Sequence, residues 1–129
     1  MKNEEPGDGR IREFTDLEVW RRGHKLVIKI YSVTKKYPGE EKYTLVTQTI
    51  RAAGSITANI AEGFSRYYYK DRARFYYNSR GSISELQNHL IVAKDLKYIT
   101  QGEFQDLYKI SGEIRRMLNG LIRSTHKQS

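Results

Sequence analysis

The 129-residue sequence contains no cysteine and only two prolines. Without cysteine the chain can form no disulfide and no thiolate metal site. A chain of this length is the size of one domain that buries its own core, so we expect one domain without covalent staples. The lack of cysteine is also compatible with a reducing compartment, and we expect a soluble, cytoplasmic protein.

Long apolar runs are missing as well. No segment approaches about 18 uninterrupted apolar residues, so the sequence predicts no transmembrane helix and no membrane partner. The N-terminus, MKNEEPGDGR, carries neither the apolar stretch of a signal peptide nor a lipidation signal. Proline and glycine interrupt any regular pattern there, and we expect residues 1–13 to form a flexible tail. We expect residues 14–124 to form the folded domain and residues 125–129 a second flexible tail.

Positive charge is abundant, with a net charge of +8. It is concentrated in three segments: residues 17–39 hold six basic residues and one acidic residue, 64–80 hold five and one, and 112–129 hold four and one. Basic proteins commonly keep such charge for polyanions, and the alternative is a solvated basic face without a partner.

Apolar residues recur at intervals of three and four along four segments, and no alternating segment competes, so we predict an all-α fold. The first helix follows FTD, where Thr15 or Asp16 is the expected N-cap. The second begins near Glu40 and Glu41 and ends between residues 63 and 69. The third begins at residues 70–71, and TQGE, residues 100–103, reads as the capping box that starts the fourth. The predicted core face of the first helix comprises Leu17, Trp20, His24, Val27, Ile28 and Tyr31.

Four amphipathic helices joined by short loops predict an antiparallel, up-down-up-down four-helix bundle. This topology brings the starts of the first and third helices to the same end as the finishes of the second and fourth, so that the basic charge is polarised. Tyrosines in the turn between the second and third helices cannot all be buried, and they could stack on unpaired bases. The candidate nucleic-acid-binding residues are Arg21, Arg22, Lys25, Arg66, Tyr67, Tyr68, Tyr69, Lys70, Arg72, Arg74, Arg115, Arg116 and Arg123.

The second helix has an unusual outer face. Between residues 43 and 61 its only charge is Arg51, and a narrow strip of small residues lies between its apolar and polar faces. We interpret this helix as buried on both sides, which favours homo-oligomerisation over an ordinary solvated face. Gly81 and Ser82, in the middle of the third helix, indicate a close crossing. The candidate oligomer-interface residues are Arg51, Ser55, Asn59, Glu62, Tyr77, Arg80 and Ser84.

Two segments, QTIRAAGSITANIAEGFSR at 48–66 and RFYYNSRGSISELQNHL at 74–90, carry a family resemblance together with FTDLEVW at 14–20. They resemble the four-helix-bundle proteins encoded in intervening sequences of bacterial 23S rRNA genes, a family related in fold to the accessory variability (Avd) proteins of diversity-generating retroelements. The resemblance implies a left-handed bundle that assembles as a ring, commonly a homopentamer, with a basic surface around a central channel. The retroelement relatives bind nucleic acid and partner with a reverse transcriptase, without catalysis of their own. The family often has proline where this chain has Thr57, so no kink is implied there.

Catalytic and metal-binding patterns are not found. His24, His89 and His126 have no paired-ligand spacing, and GDG in the N-terminal tail is no phosphate-binding loop because it does not join a strand to a helix. We therefore expect no enzyme activity, no metal and no cofactor. A metal-independent nuclease using tyrosine, histidine and arginine is the remaining enzymatic alternative.

The leading hypothesis is a non-enzymatic, basic, oligomeric nucleic-acid-binding protein. Its partner would be structured RNA or single-stranded DNA, in the role of a 23S rRNA intervening-sequence protein or of an accessory factor to a retroelement reverse transcriptase. The alternative is a protein-interaction scaffold whose basic surface docks an acidic partner protein, with nucleic-acid binding incidental.

Overall fold

The computed structural model describes residues 10–128 of the chain. Within them it forms four α-helices and no strand: α1, Glu18–Thr34; α2, Leu45–Phe64; α3, Tyr69–Asp95; and α4, Gln101–Gln128. Short 3₁₀ turns at Phe14–Asp16 and Gly39–Glu41 precede α1 and α2. The predicted all-α fold with four helices is confirmed for these residues, whereas most of the predicted N-terminal tail, residues 1–9, lies outside them. In the same described range no helix is long and apolar enough to cross a membrane.

The hydrogen bonds that α3 makes with α2 and with α4 run in opposite order along the chain. As the residue number increases along α3, the residue number of the hydrogen-bonded partner on α2 or on α4 decreases. This is the contact order of antiparallel helix pairs. The cross-helix hydrogen bonds join Ser79 to Ile56, Ser82 to Ser55 and Glu85 to Arg51 between α3 and α2, and Tyr77 to His126, Arg80 to Asn119 and Gln87 to Ser111 between α3 and α4.

The face that α1 turns to the core differs from the predicted one. Ile28 and Tyr31 are 56% and 50% exposed, and His24 is exposed as well. Leu17, Trp20 and Val27 are only partly buried. The buried line is Val19, Gly23, Leu26, Ile30 and Val33.

Both lines on α1 have three-to-four spacing, and close packing against α2 decides between them. A Cβ atom added to Gly23 would lie 2.8 Å from Thr57 Cγ2 on α2. Glycine therefore lets the two helices approach along the line that contains it. The α1 prediction failed because periodicity alone does not reveal which of two apolar lines has room for a neighbour.

The starts of α1 and α2 are also displaced from the predicted positions. Leu17 is the N-cap of α1, while the Asp16 carboxylate accepts the backbone N–H groups of Arg12 and Glu13 at 3.0 Å and so closes the preceding turn. In the second loop, the Glu41 carboxylate accepts hydrogen bonds from Thr44 Oγ1 and the Leu45 N–H. Each carboxylate thus holds the turn before a helix instead of lying within the helix.

The end of α3 is a left-handed turn at Lys97, whose φ is 66°. The Tyr98 N–H bonds to the Ala93 carbonyl at 2.8 Å and the Lys97 N–H to the Lys94 carbonyl at 2.9 Å. This pair of bonds is a Schellman motif, which satisfies the last carbonyls of the helix. It directs the chain into the short loop before α4.

The capping box that starts α4 is present, with Thr100 and Glu103 each accepting the other's backbone N–H. At its other end α4 continues to Gln128, through residues that the sequence assigned to a flexible tail. Thr125 is buried and donates to the Leu121 carbonyl at 2.9 Å. Because no proline or glycine follows residue 120, nothing in the sequence stops the helix earlier.

Candidate nucleic-acid interface

The turn between α2 and α3 exposes two aromatic rings. Tyr67 is 85% exposed and Tyr68 65% exposed, with the rings edge to face and their centroids 4.9 Å apart. Tyr69 is half-buried because it begins α3. The turn therefore presents a tyrosine pair to solvent, and Tyr69 contributes less surface.

Phe75 lies against two guanidinium groups beside this turn. Arg66 and Arg74 each place their guanidinium carbon 4.6 Å from the Phe75 ring centroid. Phe75 is itself only partly buried. Arg66 also pairs with Glu62 at 2.6 Å, so its charge is partly balanced.

Arg72 belongs to the framework of the turn. Its Nε donates to the Arg66 carbonyl at 2.7 Å, and its guanidinium carbon lies 5.2 Å from the Phe64 ring and 5.4 Å from the Tyr69 ring. These contacts join the end of α2 to the start of α3. Arg72 therefore positions the tyrosines and adds positive charge beneath them.

The basic residues of α1 are held by nearby acceptors. Arg21 donates to the Thr15 carbonyl at 2.7 Å and lies 3.8 Å from Asp16. Arg22 pairs with Glu18 at 3.2 Å and with Glu113 at 4.0 Å. The pair with Glu113 places the first turns of α1 beside the middle of α4, within one helical turn of Arg115 and Arg116.

Among the remaining predicted cations, one is held by a partner in the chain and four are not. Arg115 donates to Ser84 Oγ at 2.8 Å, midway along α3. The side chains of the other four make no ion pair or hydrogen bond within residues 10–128 and are therefore open to a ligand: Lys25, Lys70, Arg116 and Arg123. The structure brings Arg66, Tyr69, Arg72 and Arg74 together with the exposed tyrosines. The α1 cations Arg21 and Arg22 make their contacts elsewhere.

The polar face of α2 makes hydrogen bonds within the chain. Arg51 pairs with Glu85 at 2.7 Å, Ser55 accepts from Ser82 at 2.9 Å, and Asn59 bonds back to Ser55. The other candidate interface residues also find partners in the chain: Glu62 with Arg66, Tyr77 with His126, Arg80 with Asn119 and Ser84 with Arg115. Their role between subunits stays a prediction.

Small residues on α2 leave an open strip beside that face. Thr47, Ala58 and Ser65 are exposed, and a Cβ atom added to Gly54 would meet nothing within 4 Å. A Cβ atom at Gly81 would likewise meet open space, so within residues 10–128 no close crossing occurs at Gly81. Ser82 is the buried residue of that pair.

The site that sequence reasoning missed joins Tyr77 to His126. Tyr77 Oη lies 2.8 Å from His126 Nε2, and the two rings form one wall of a cavity between α3 and α4. His126 fell within the predicted tail, so no pattern linked it to α3. Continuation of the helical period through residues 118, 122 and 125 was the signal that could have placed it.

The opposite end of the molecule carries anchored carboxylates. The hydrogen bonds that Glu41 accepts from Thr44 and from Tyr98 lower its pKa, and the Lys36 ammonium together with the Thr100 N–H lowers the pKa of Glu103. Burial, together with the Glu103 charge, raises the pKa of Tyr37 to about 12. Stable negative charge thus lies at the end away from the exposed tyrosines.

Comparison with known proteins agrees with this architecture. The profile of the family described as 23S rRNA-intervening sequence protein matches residues 15–120. A solved structure from Bacteroides thetaiotaomicron VPI-5482, described as a protein with unknown function from the S23 ribosomal protein family, is 23% identical. It superposes with a TM-score of 0.75, over 81% of this chain and 97% of that one. No curated protein matches the chain.

Proposed function

The chain belongs to the 23S rRNA-intervening sequence protein family, and on that premise we propose that it is a non-enzymatic protein that binds nucleic acid through the turn between α2 and α3. The observation that carries the proposal is the exposed Tyr67 and Tyr68 pair beside Arg66 and Arg74. Aromatic faces stack on unpaired bases, and guanidinium groups bind phosphates. The family description links its members to rRNA genes, which supports RNA as the first ligand to test.

The proposal includes assembly into a ring, with an up-down-up-down bundle in each subunit. Symmetry would repeat the tyrosine turn around the ring, so that one strand contacts several copies. A homopentamer is the arrangement that the resemblance implies. The role of accessory factor to a retroelement reverse transcriptase, with single-stranded DNA as ligand, belongs to the same proposal.

Salt dependence of binding tests the electrostatic part. If about five phosphates are neutralised, log K falls against log salt with a slope of about −3.5 for single strands. Fluorescence anisotropy with a labelled 23S rRNA fragment and with a single-stranded DNA of equal length, each at several salt concentrations, measures it. A slope near zero for both ligands would contradict nucleic-acid binding by this surface.

Aromatic stacking calls for a separate measurement. Replacing both exposed tyrosines, Tyr67→Ala with Tyr68→Ala, should weaken single-strand binding by about tenfold or more, since each stacked base contributes about 1–3 kcal/mol. Tyr31→Ala and Tyr43→Ala are the matched control, because these rings are also exposed but lie away from the turn. An equal loss in the control pair would indicate a non-specific effect.

The second candidate is a protein-interaction scaffold, and the exposed apolar line on α1 favours it. Ile28 and Tyr31 expose half or more of their surface one helical turn apart. Exposed apolar side chains at helical spacing are typical of protein contacts. Two sets of changes separate the candidates: charge reversal of Arg66 and Arg74 should remove RNA binding if the first holds, whereas Ile28→Asp with Tyr31→Asp should remove partner binding alone if the second holds.

A further inference from the structure

A cavity of about 520 Å³ opens between the first turns of α3 and the last turn of α4. Its size falls within the range of about 300–1,000 Å³ typical of small-ligand sites. It lies apart from the Tyr67 and Tyr68 pair, on the side of α3 that meets α4. Its lining comprises Lys70, Asp71, Ala73, Arg74, Tyr77, Asn78 and His126.

One wall of this cavity consists of two aromatic rings held in place. Tyr77 Oη and His126 Nε2 are hydrogen-bonded at 2.8 Å, and the ring centroids are 5.9 Å apart. Tyr77 keeps 42% of its surface exposed. Because the hydrogen bond restrains both rings, a base that stacks there would order little additional side chain.

Two cations stand on the α3 side. Lys70 and Arg74 are separated by four residues and therefore lie on the same face of the helix. Lys70 makes no ion pair or hydrogen bond within the described residues. Arg74 lies over the Phe75 ring, and its N–H donors have no acceptor within residues 10–128. Both groups have donors to offer a phosphate.

Asp71 and Asn78 indicate how much charge the ligand carries and which groups its base offers. With two cations and one carboxylate, the three charges sum to +1, which suits one phosphate group and disfavours a run of several. The Asn78 amide supplies both a donor and an acceptor for the edge of a base. The cavity thus offers groups for one phosphate and one base.

We propose that this cavity binds the terminal nucleotide of a phosphorylated single strand, with its phosphate on Lys70 and Arg74 and its base against Tyr77 and His126. A terminal phosphomonoester carries about −1.5 to −2 charge at neutral pH, more than a backbone diester, and two cations that line one cavity favour the larger charge. The site deepens the proposed nucleic-acid function by naming a strand end as its ligand.

The test uses the 129-residue protein and fluorescent RNA trinucleotides with a 5′-phosphate, a 3′-phosphate or neither. One of the two terminal phosphates should tighten binding by about tenfold, the effect of a single charge-assisted hydrogen bond. Lys70→Gln with Arg74→Gln should abolish that gain. Lys35→Gln with Lys109→Gln, which removes the same charge from exposed positions elsewhere, should retain it.

Asp71→Asn should change the affinity in the opposite direction. A variant that merely misfolds would not bind more tightly, so this change separates the two explanations. Removal of the carboxylate should tighten binding of the phosphorylated trinucleotide several-fold and leave the unphosphorylated one unchanged. Equal affinity for all three trinucleotides, or a gain that survives in the Lys70 and Arg74 variant, would overturn the proposal.

Competitors separate the sources of phosphate. Inorganic phosphate that competes as well as the phosphorylated trinucleotide would overturn the proposal, because the base would then contribute nothing. Adenosine monophosphate carries the one phosphate and the one base that the cavity accommodates, so it should compete, and a failure to compete would overturn the assignment of these two groups to the cavity. Long RNA that binds without a terminal-phosphate effect would remove this site and leave the proposed function standing. Trinucleotide binding without long-RNA binding would support this site and contradict the proposed function.

Discussion

Tyr37 buries a hydroxyl group that has no hydrogen-bond partner within residues 10–128. The side chain is only 6% exposed, and a buried polar atom without a partner costs about 1–3 kcal/mol. Tyr37→Phe should therefore raise the free energy of unfolding by about 1 kcal/mol, measured by urea denaturation. Tyr98→Phe is the matched control, because Tyr98 Oη donates to Glu41 at 2.8 Å, and its loss should lower stability. A destabilised Tyr37→Phe variant would show that its hydroxyl is satisfied.

Arg66 shows how a single residue serves both packing and charge. Its terminal nitrogen pairs with Glu62, its guanidinium covers Phe75, and its carbonyl accepts from Arg72. Sequence reasoning identified Arg66 as a ligand-binding cation but not as part of the turn's framework. Those contacts depend on where a neighbouring helix places its side chains, which residue type alone does not encode.

At the scale of helices, α1 and α2 approach each other closely at Gly23. Gly23→Ala should destabilise the fold by about 1–3 kcal/mol, because the new methyl group would overlap Thr57 Cγ2. Thr57→Ser removes that methyl group and should recover much of the loss in the double variant, measured by thermal and urea unfolding. Additive losses in the double-mutant cycle would mean that the two residues do not share the contact.

Glu103, at the start of α4, makes the stability of the fold depend on pH. Glu103 has a pKa lowered by its bonds to Lys36 and Thr100, so its contribution is present above the unfolded value near 4.5 and is lost as pH falls through the lower folded value. The melting temperature should therefore fall between pH 5 and pH 3, and Glu103→Gln should flatten that fall. Glu40→Gln, an exposed carboxylate in the same region, should keep the original slope. Identical slopes in all three proteins would contradict the assignment.

Helix existence was predictable because periodicity and caps are local properties. TQGE located the start of α4 since both capping bonds lie within four residues. The face of α1 was not predictable, because the lines through Trp20 and through Leu26 have equal spacing and only packing against α2 selects one. The end of α4 was missed for a similar reason: burial of Thr125 depends on its neighbours in space.

At the scale of the whole molecule, a substitution in the open strip of small residues on α2 tests assembly. If another copy packs there, Gly54→Arg should reduce the mass in solution to that of a smaller species, because a long side chain would fill the space that small residues leave. Gly112→Arg on α4, where an added Cβ atom also meets open space, is the control and should keep the mass. Light scattering measures the mass, and circular dichroism checks that helix content is retained. Unchanged mass in Gly54→Arg would place any interface elsewhere.

The hydrogen bond between Tyr77 and His126 also makes the end of α4 a reporter. The last turn of a helix opens more readily than its middle, and amide hydrogen exchange measures that opening. Because His126 is joined to α3 through Tyr77, a ligand seated against both rings would slow exchange at residues 125–128 while the middle of α4 stays unchanged. The C-terminal turn thus provides a built-in measure of occupancy that needs no label on the ligand.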